Sequence, residues 1–189
     1  MDNIFLYLLG FAGTGKLTIA RAFARAVGAE VVDNHWINNP IFGLIDPDGV
    51  SPLPDAVWRQ TAKVREAVLE TIATLAKPGV NFVFTHDGIE GEPYDEAVSR
   101  GIQSTAARRG AWLIPVRLVC NEDELVRRIQ SAGRAPMLKC TNPADAIHKS
   151  RHRAVLDPRL PGTLTLDVTR LTPEQSVEAI LAHIKSVGR

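Results

Sequence analysis

The segment Gly10-Phe11-Ala12-Gly13-Thr14-Gly15-Lys16-Leu17-Thr18 restricts the possible folds of this chain more than any other feature. Before it, Ile4-Phe5-Leu6-Tyr7-Leu8-Leu9 is continuously apolar, the pattern of a strand buried on both faces. After it, Ile19, Ala20, Phe23, Ala24 and Val27 recur at helical spacing, and Gly28 is a natural stop. Glycines let backbone N–H groups turn inward around an anion. The helix N-terminus adds a partial positive charge and Lys16 a mobile full one. A strand, a glycine loop and a helix in this order form a phosphate cradle. The spacing GxxxxGK followed by Ser or Thr fails at Leu17, whereas GxxGxGKxT, with the hydroxyl at Thr18, fits throughout. A dinucleotide GxGxxG is excluded because Thr18 occupies the third glycine position.

The remaining pattern alternates strands with helices. Glu30-Val31-Val32 reads as a second strand ending at Asp33, Phe82-Val83-Phe84 as a third, Trp112 to Val119 as a fourth and Leu164 to Asp167 as the last. Helices are predicted from about Asp55 to Lys77, Pro93 to Arg109, Asn121 to Ser131 and Ala144 to Arg153, with a final one capped by Thr172-Pro173-Glu174-Gln175. Asn121 and Glu124 are spaced as an N-cap and its capping-box partner. The stretch 34–54, with four prolines and two glycines, is the least regular and is read as a short helix with a loop over the site. Five apolar strands between helices predict an α/β fold: a five-stranded parallel sheet with helices on both faces. No linker or repeat divides the 189 residues, so one domain is expected over 1–189.

Composition removes several function classes. A formal net charge of +1 gives no electrostatic reason for nucleic acid or an anionic membrane as the main partner. Two cysteines, Cys120 and Cys140, make neither a disulfide framework nor a CxxC zinc site. The apolar run after Met1-Asp2-Asn3 lacks the basic start and length of a signal peptide, and a cytoplasmic location is expected. Oligomeric state has no signature in the sequence.

The GxxGxGKxT loop resembles that of adenylate kinase-like nucleotide kinases, and the shortness and five-strand alternation of the chain are similar to the shikimate kinase and nucleotide kinase group. The resemblance implies a three-layer P-loop kinase fold with a basic lid, using ATP and Mg2+ to phosphorylate a small molecule. Gly10, Ala12, Gly13, Thr14, Gly15, Lys16, Leu17 and Thr18 would then cradle the nucleotide phosphates. Lys16 would reach the β- and γ-phosphates, and Thr18, in place of Leu17, would hold the metal. No Asn-Lys-x-Asp guanine motif is present.

The acceptor side is read from the strand ends, where parallel sheets place their ligands. Asp33 matches the first acid of the shikimate kinase Asp-x-Asp motif, and His35 replaces the second. Trp58-Arg59 resembles the Phe-Arg pair that holds an acceptor carboxylate. His86-Asp87-Gly88 stands where those kinases carry three glycines, a departure that, with His35, points away from shikimate itself. Asp87 ends a strand as a metal-directing acid would. Asp33, Asp87 and Thr18 are thus the metal candidates, and Asp33, His35 and Arg59 the substrate candidates. From Asp33 to Trp58 there is no Lys or Arg, which disfavours an acceptor that already carries phosphate.

Between Arg127 and Arg159 eight basic residues face two acids, Asp145 and Asp157. The resemblance makes about 132–161 a lid whose Arg128 and Arg134 close over the transferring phosphate, with Lys139 a few residues on. The expected activity is ATP-dependent transfer of the γ-phosphate to a hydroxyl-bearing or carboxylic-acid metabolite, with Lys16, Asp33, Arg128 and Arg134 as the catalytic residues. A nucleotide-binding switch or regulatory ATPase acting through protein contacts, and a nucleoside monophosphate kinase, are the alternatives.

Overall fold

The computed structural model describes residues 2–132, 134 and 138–188. Strand β1 (Ile4–Leu9) leads through the glycine loop to α1 (Lys16–Val27), then β2 (Ala29–Val32), α2 (Asn34–Ile45) and α3 (Asp55–Thr74). Strand β3 (Asn81–His86), α4 (Pro93–Arg108), β4 (Trp112–Val119), α5 (Glu122–Ile129), α6 (Pro143–His152), β5 (Leu164–Asp167) and α7 (Pro173–Ser186) follow. The strands form a single parallel sheet in the order β2-β3-β1-β4-β5. The expected α/β class and five-stranded parallel sheet are borne out.

Strand β1 lies at the centre and every one of its side chains is buried, as its unbroken apolar run requires. The strand period of two divides these side chains between two cores. Ile4, Leu6 and Leu8 pack with Ile19 and Phe23 of α1 and Ile180 and Ile184 of α7. Phe5, Tyr7 and Leu9 pack with Ile72 of α3 and Val98 and Ile102 of α4. Helices therefore cover both faces, and all strand C-termini point to one edge, where the glycine loop and the ends of β2 and β3 meet.

Capping explains most helix boundaries. Gly28 closes α1 at φ 70°, and Thr172 with Gln175 forms the reciprocal capping box of α7. At α5 only half of the expected box exists. Asn121 accepts the Glu124 amide at 2.9 Å, but the Glu124 carboxylate takes two nearby guanidiniums, Arg127 and Arg128, as stronger partners. The segment expected to be irregular contains a helix, α2, that carries Pro40 inside it. Its first turn is held from outside, by the Asn34 amide donating to Thr85 Oγ1 at 3.0 Å. The lid range 132–161 includes 133 and 135–137, which lie outside the described residues; the remainder contains α6.

Gly10 fills a place where no side chain fits. A Cβ there would lie 2.7 Å from the Leu118 carbonyl oxygen and 2.8 Å from Thr14 Oγ1. Gly10→Ala must displace the β4 backbone or the loop, and we expect a loss of about 1–3 kcal/mol. The shift of the urea midpoint at unchanged slope measures it; an unshifted midpoint would mean that the loop gives way freely.

Candidate active site

The glycine loop takes its shape from two glycines and a hydroxyl. Gly13 and Gly15 adopt φ of 92° and 85°, a conformation that costs other residues. Thr14 is buried and donates its hydroxyl to the Phe11 carbonyl at 2.9 Å, which fixes the turn. Lys16 begins α1, folds back and donates to the carbonyls of Gly10 and, at 3.0 Å, Phe11. Burial pushes its ammonium from 10.5 down to about 8, against the upward pull of Asp87 and Asp33. These two acids and the lysine share one electrostatic site.

Each acid has a distinct environment. Asp33 is 9% exposed and follows β2. Although it precedes α2 it does not cap the helix with its side chain; its Oδ1 instead accepts the Thr85 hydroxyl at 2.6 Å. Asp87 follows β3, and its Oδ1 is buried without a hydrogen-bond partner. A buried carboxylate oxygen without a donor is costly and marks a place where a cation or an ordered water belongs. The hard oxygens of Asp33 and Asp87 beside a phosphate cradle fit magnesium, which takes one or two carboxylates and otherwise water and phosphate oxygens. Among the described residues no group of three or more His, Cys, Asp or Glu could enclose a metal alone.

Thr18 follows Lys16 by two positions. It is exposed in the first turn of α1 and lines a cleft of about 410 Å³ with Thr14, Gly15, Arg128, Thr169 and Arg170. The helix turns residue 18 toward the loop after β5, whereas the two acids act on Lys16.

The two predicted arginines also occupy different settings. Arg128 belongs to α5 and is pinned: its Nε donates to Glu124 Oε1 at 2.6 Å and its NH2 to the Val168 carbonyl at 3.0 Å. Its NH1 would be 3.7 Å from a Cβ on Gly15, and it forms a wall of the cleft. Arg134 donates Nε to the Cys140 carbonyl at 2.9 Å. Burial lowers its guanidinium, while Asp87 works in the other direction. Lys139 is likewise lowered by burial and held up by Asp33.

His35 lies at the start of α2, with its ring on the edge of Phe42 and its Nδ1 buried without a partner. Burial takes the imidazole down to about 4, so it is neutral at pH 7. Arg59 is not brought to this place; it is exposed, while its neighbour Trp58 packs on Phe42 and Tyr94. One helical turn and a half further, Arg65 points inward instead. It is 6% exposed and donates to Asn34 Oδ1 at 2.9 Å and Asn38 Oδ1 at 3.3 Å, leaving Nε buried and unbonded. A signal for it existed: Arg65 falls on the buried stripe of α3 with Thr61 and Ile72, where a charge is out of place. Arg65 and Arg59 were both expected from the sequence to bear on the acceptor; Lys149 of α6 was not foreseen. Burial lowers its ammonium, but Asp87 and Asp145 outweigh that and raise it, with Asp145 Oδ2 at 2.9 Å.

No family model matches the sequence. The chain is 24% identical over 184 residues to a shikimate kinase of Corynebacterium glutamicum, covering 94% of this chain and 95% of that protein. It is 26% identical over 182 residues to a shikimate kinase of Thermus thermophilus, covering 95% and 87%. Its fold is similar to that of a gluconokinase from Sinorhizobium meliloti, with a TM-score of 0.63 at 18% identity over 98% of this chain and 94% of the other. A shikimate kinase from Acinetobacter baumannii superimposes with a TM-score of 0.53 at 16% identity over 97% and 94%. The resemblance read from the glycine loop is borne out in both sequence and fold.

The depressed Lys16 gives a pH test with a definite sign. Above about pH 8 the free protein carries neutral Lys16, and phosphate oxygens would restore its proton. Binding of ATP should therefore take up a proton in that range, with affinity falling by at most about tenfold per pH unit as pH rises. Calorimetry in buffers of different ionisation enthalpy reads the uptake, which should vanish in Lys16→Met. Equal heats for both proteins would mean that Lys16 is not the phosphate contact.

Proposed function

We propose that this P-loop kinase, of the shikimate kinase-like group, transfers the γ-phosphate of ATP to the hydroxyl of a small acceptor bound between Asp33 and α3. The observation that carries the reading is the convergence of Lys16, Asp33 and Asp87 at the strand ends beside the glycine loop. Whole-length similarity to shikimate kinases supports the same reaction class.

The residues divide the work as follows. The loop amides and Lys16 hold the β- and γ-phosphates, and Lys16 leaves the Gly10 and Phe11 carbonyls to do so. Thr18 and Arg128 bound the cleft that takes the rest of the nucleotide. Asp87 and Asp33 hold magnesium, directly or through water; when bound, the metal neutralises charge building on the phosphate oxygens. Asp33, oriented by Thr85, accepts the proton of the attacking hydroxyl as its oxygen bonds to the γ-phosphorus and the bond to the β-bridging oxygen breaks. Neutral His35 orients that hydroxyl. Arg134, Lys139 and Lys149 bring positive charge over the phosphate from the lid side. Arg65 supports a carboxylic acid among the acceptor classes, because its guanidinium is buried, bonded only to amide oxygens and free at Nε.

Asp33→Asn keeps the shape and removes the charge. The rate of transfer should fall by roughly 10²-fold or more with ATP affinity little changed. Transfer at the wild-type rate would move the base to Asp87. Thr18→Val should weaken ATP binding equally with and without magnesium, as measured by calorimetry; a loss confined to magnesium-ATP would return the metal to Thr18.

A further inference from the structure

The segment leaving β3 carries Asp87, and next to it runs a chain of buried and half-buried side chains that the proposed reaction does not use. Tyr7 of β1 places its hydroxyl 2.7 Å from His86 Nδ1. His86, 2% exposed, places Nε2 3.2 Å from Asp95 Oδ1, and Asp95 Oδ2 accepts the Ile89 amide at 2.9 Å. An ionised carboxylate has no proton to give, so Nε2 carries the ring proton and Nδ1 accepts from Tyr7. A polar chain among Phe5, Leu9 and Phe84 is more demanding than apolar packing, because each member must be satisfied.

The backbone around this chain joins both sides of the active site. The Gly10 amide, at the foot of the phosphate loop, donates to the His86 carbonyl at 3.2 Å. On the other side Leu156 N–H donates to the Gly88 carbonyl and Glu90 N–H to the Ala154 carbonyl, each at 3.0 Å, around an antiparallel bridge of Ile89 with Val155. Residues 154–157 are the return of the chain from α6. Glu90 reinforces the contact by accepting the Asp157 amide at 2.7 Å. Gly88 packs against the imidazole so closely that a Cβ there would lie 3.0 Å from Nδ1.

We propose that the Tyr7–His86–Asp95 chain is a positioning device that sets Asp87, and with it the return segment 154–157, relative to the foot of the phosphate loop. Tyr7, His86 and Asp95 are positioning residues. The proposal rests on the reading of Asp87 as a working acid.

Asp95→Asn keeps the volume, but a single amide oxygen cannot serve both His86 Nε2–H and the Ile89 amide. With magnesium-ATP as the probe and water as the acceptor, the turnover number for ADP release should fall roughly tenfold or more, since small misplacements of reacting groups are costly. The KM for ATP should stay near the wild-type value. Asp87→Asn/Asp95→Asn should be no slower than Asp87→Asn alone, because effects passing through one residue do not add. Hydrogen exchange should quicken together at 88–90 and 154–157 and stay unchanged in β4. Additive rate losses, or exchange rising evenly across the sheet, would make the chain an ordinary core element and overturn the proposal. If Asp95→Asn does not fold, Tyr7→Phe decides by the same readouts. If Asp87→Asn alone turns over like the wild type, the acid assignment fails, and the exchange pattern then decides whether the chain holds the segment.

Discussion

The parallel pairing of β1 with β3 on one side and β4 on the other is the constraint on which the rest depends. It aligns Leu9 with His86 and Arg117, so the glycine loop leaves the sheet beside the ends of both neighbours. Burial on both faces leaves β1 no freedom of register, because a shift by one residue would exchange the contents of the two cores. The loop therefore begins at a fixed height, and Gly10 meets Leu118 of β4 so closely that it has no room for a side chain.

Charge balance follows from this geometry. Lys16 is drawn into a desolvated place, at a cost visible in its lowered proton affinity, and Asp33 and Asp87 reduce that cost from neighbouring strand ends. Arg134, Lys139 and Lys149 come from the other side and take the same two acids as partners in charge. In an arrangement of this kind the acids serve two sets of cations, and incoming phosphates compete for the latter. Exposed ion pairs such as Arg108 with Glu70 lie in high dielectric and add little to stability or function.

The fold was largely legible in the sequence, because the unbroken apolar run of β1 and the glycine loop act locally and leave few alternatives. The ends of β4 and β5 were readable for the same reason. The short helix expected in the irregular segment is α2, but its start was not legible, since the bond that holds its first turn comes from Thr85, far away in sequence. At the site, Asp33, Asp87 and Lys16 could be found from their places at strand and helix ends, which the parallel topology brings together. Arg59 and Arg65 could not be told apart by motif. Their difference is the direction each takes from α3, visible only as a charge on an otherwise buried stripe. Lys149 depended on where α6 lies relative to Asp87, which no local pattern encodes.

The account turns on phosphate reaching a small molecule rather than water. Wild-type protein given magnesium and ATP labelled on its γ-phosphate can be offered hydroxylated carboxylic acids, shikimate and gluconate among them, beside neutral polyols. The products are then separated and the label located. Label should become covalently attached to a hydroxylated acid, faster than inorganic phosphate forms, and this product should be lost in Asp33→Asn. Label recovered only as inorganic phosphate, at a rate no acceptor changes, would contradict it.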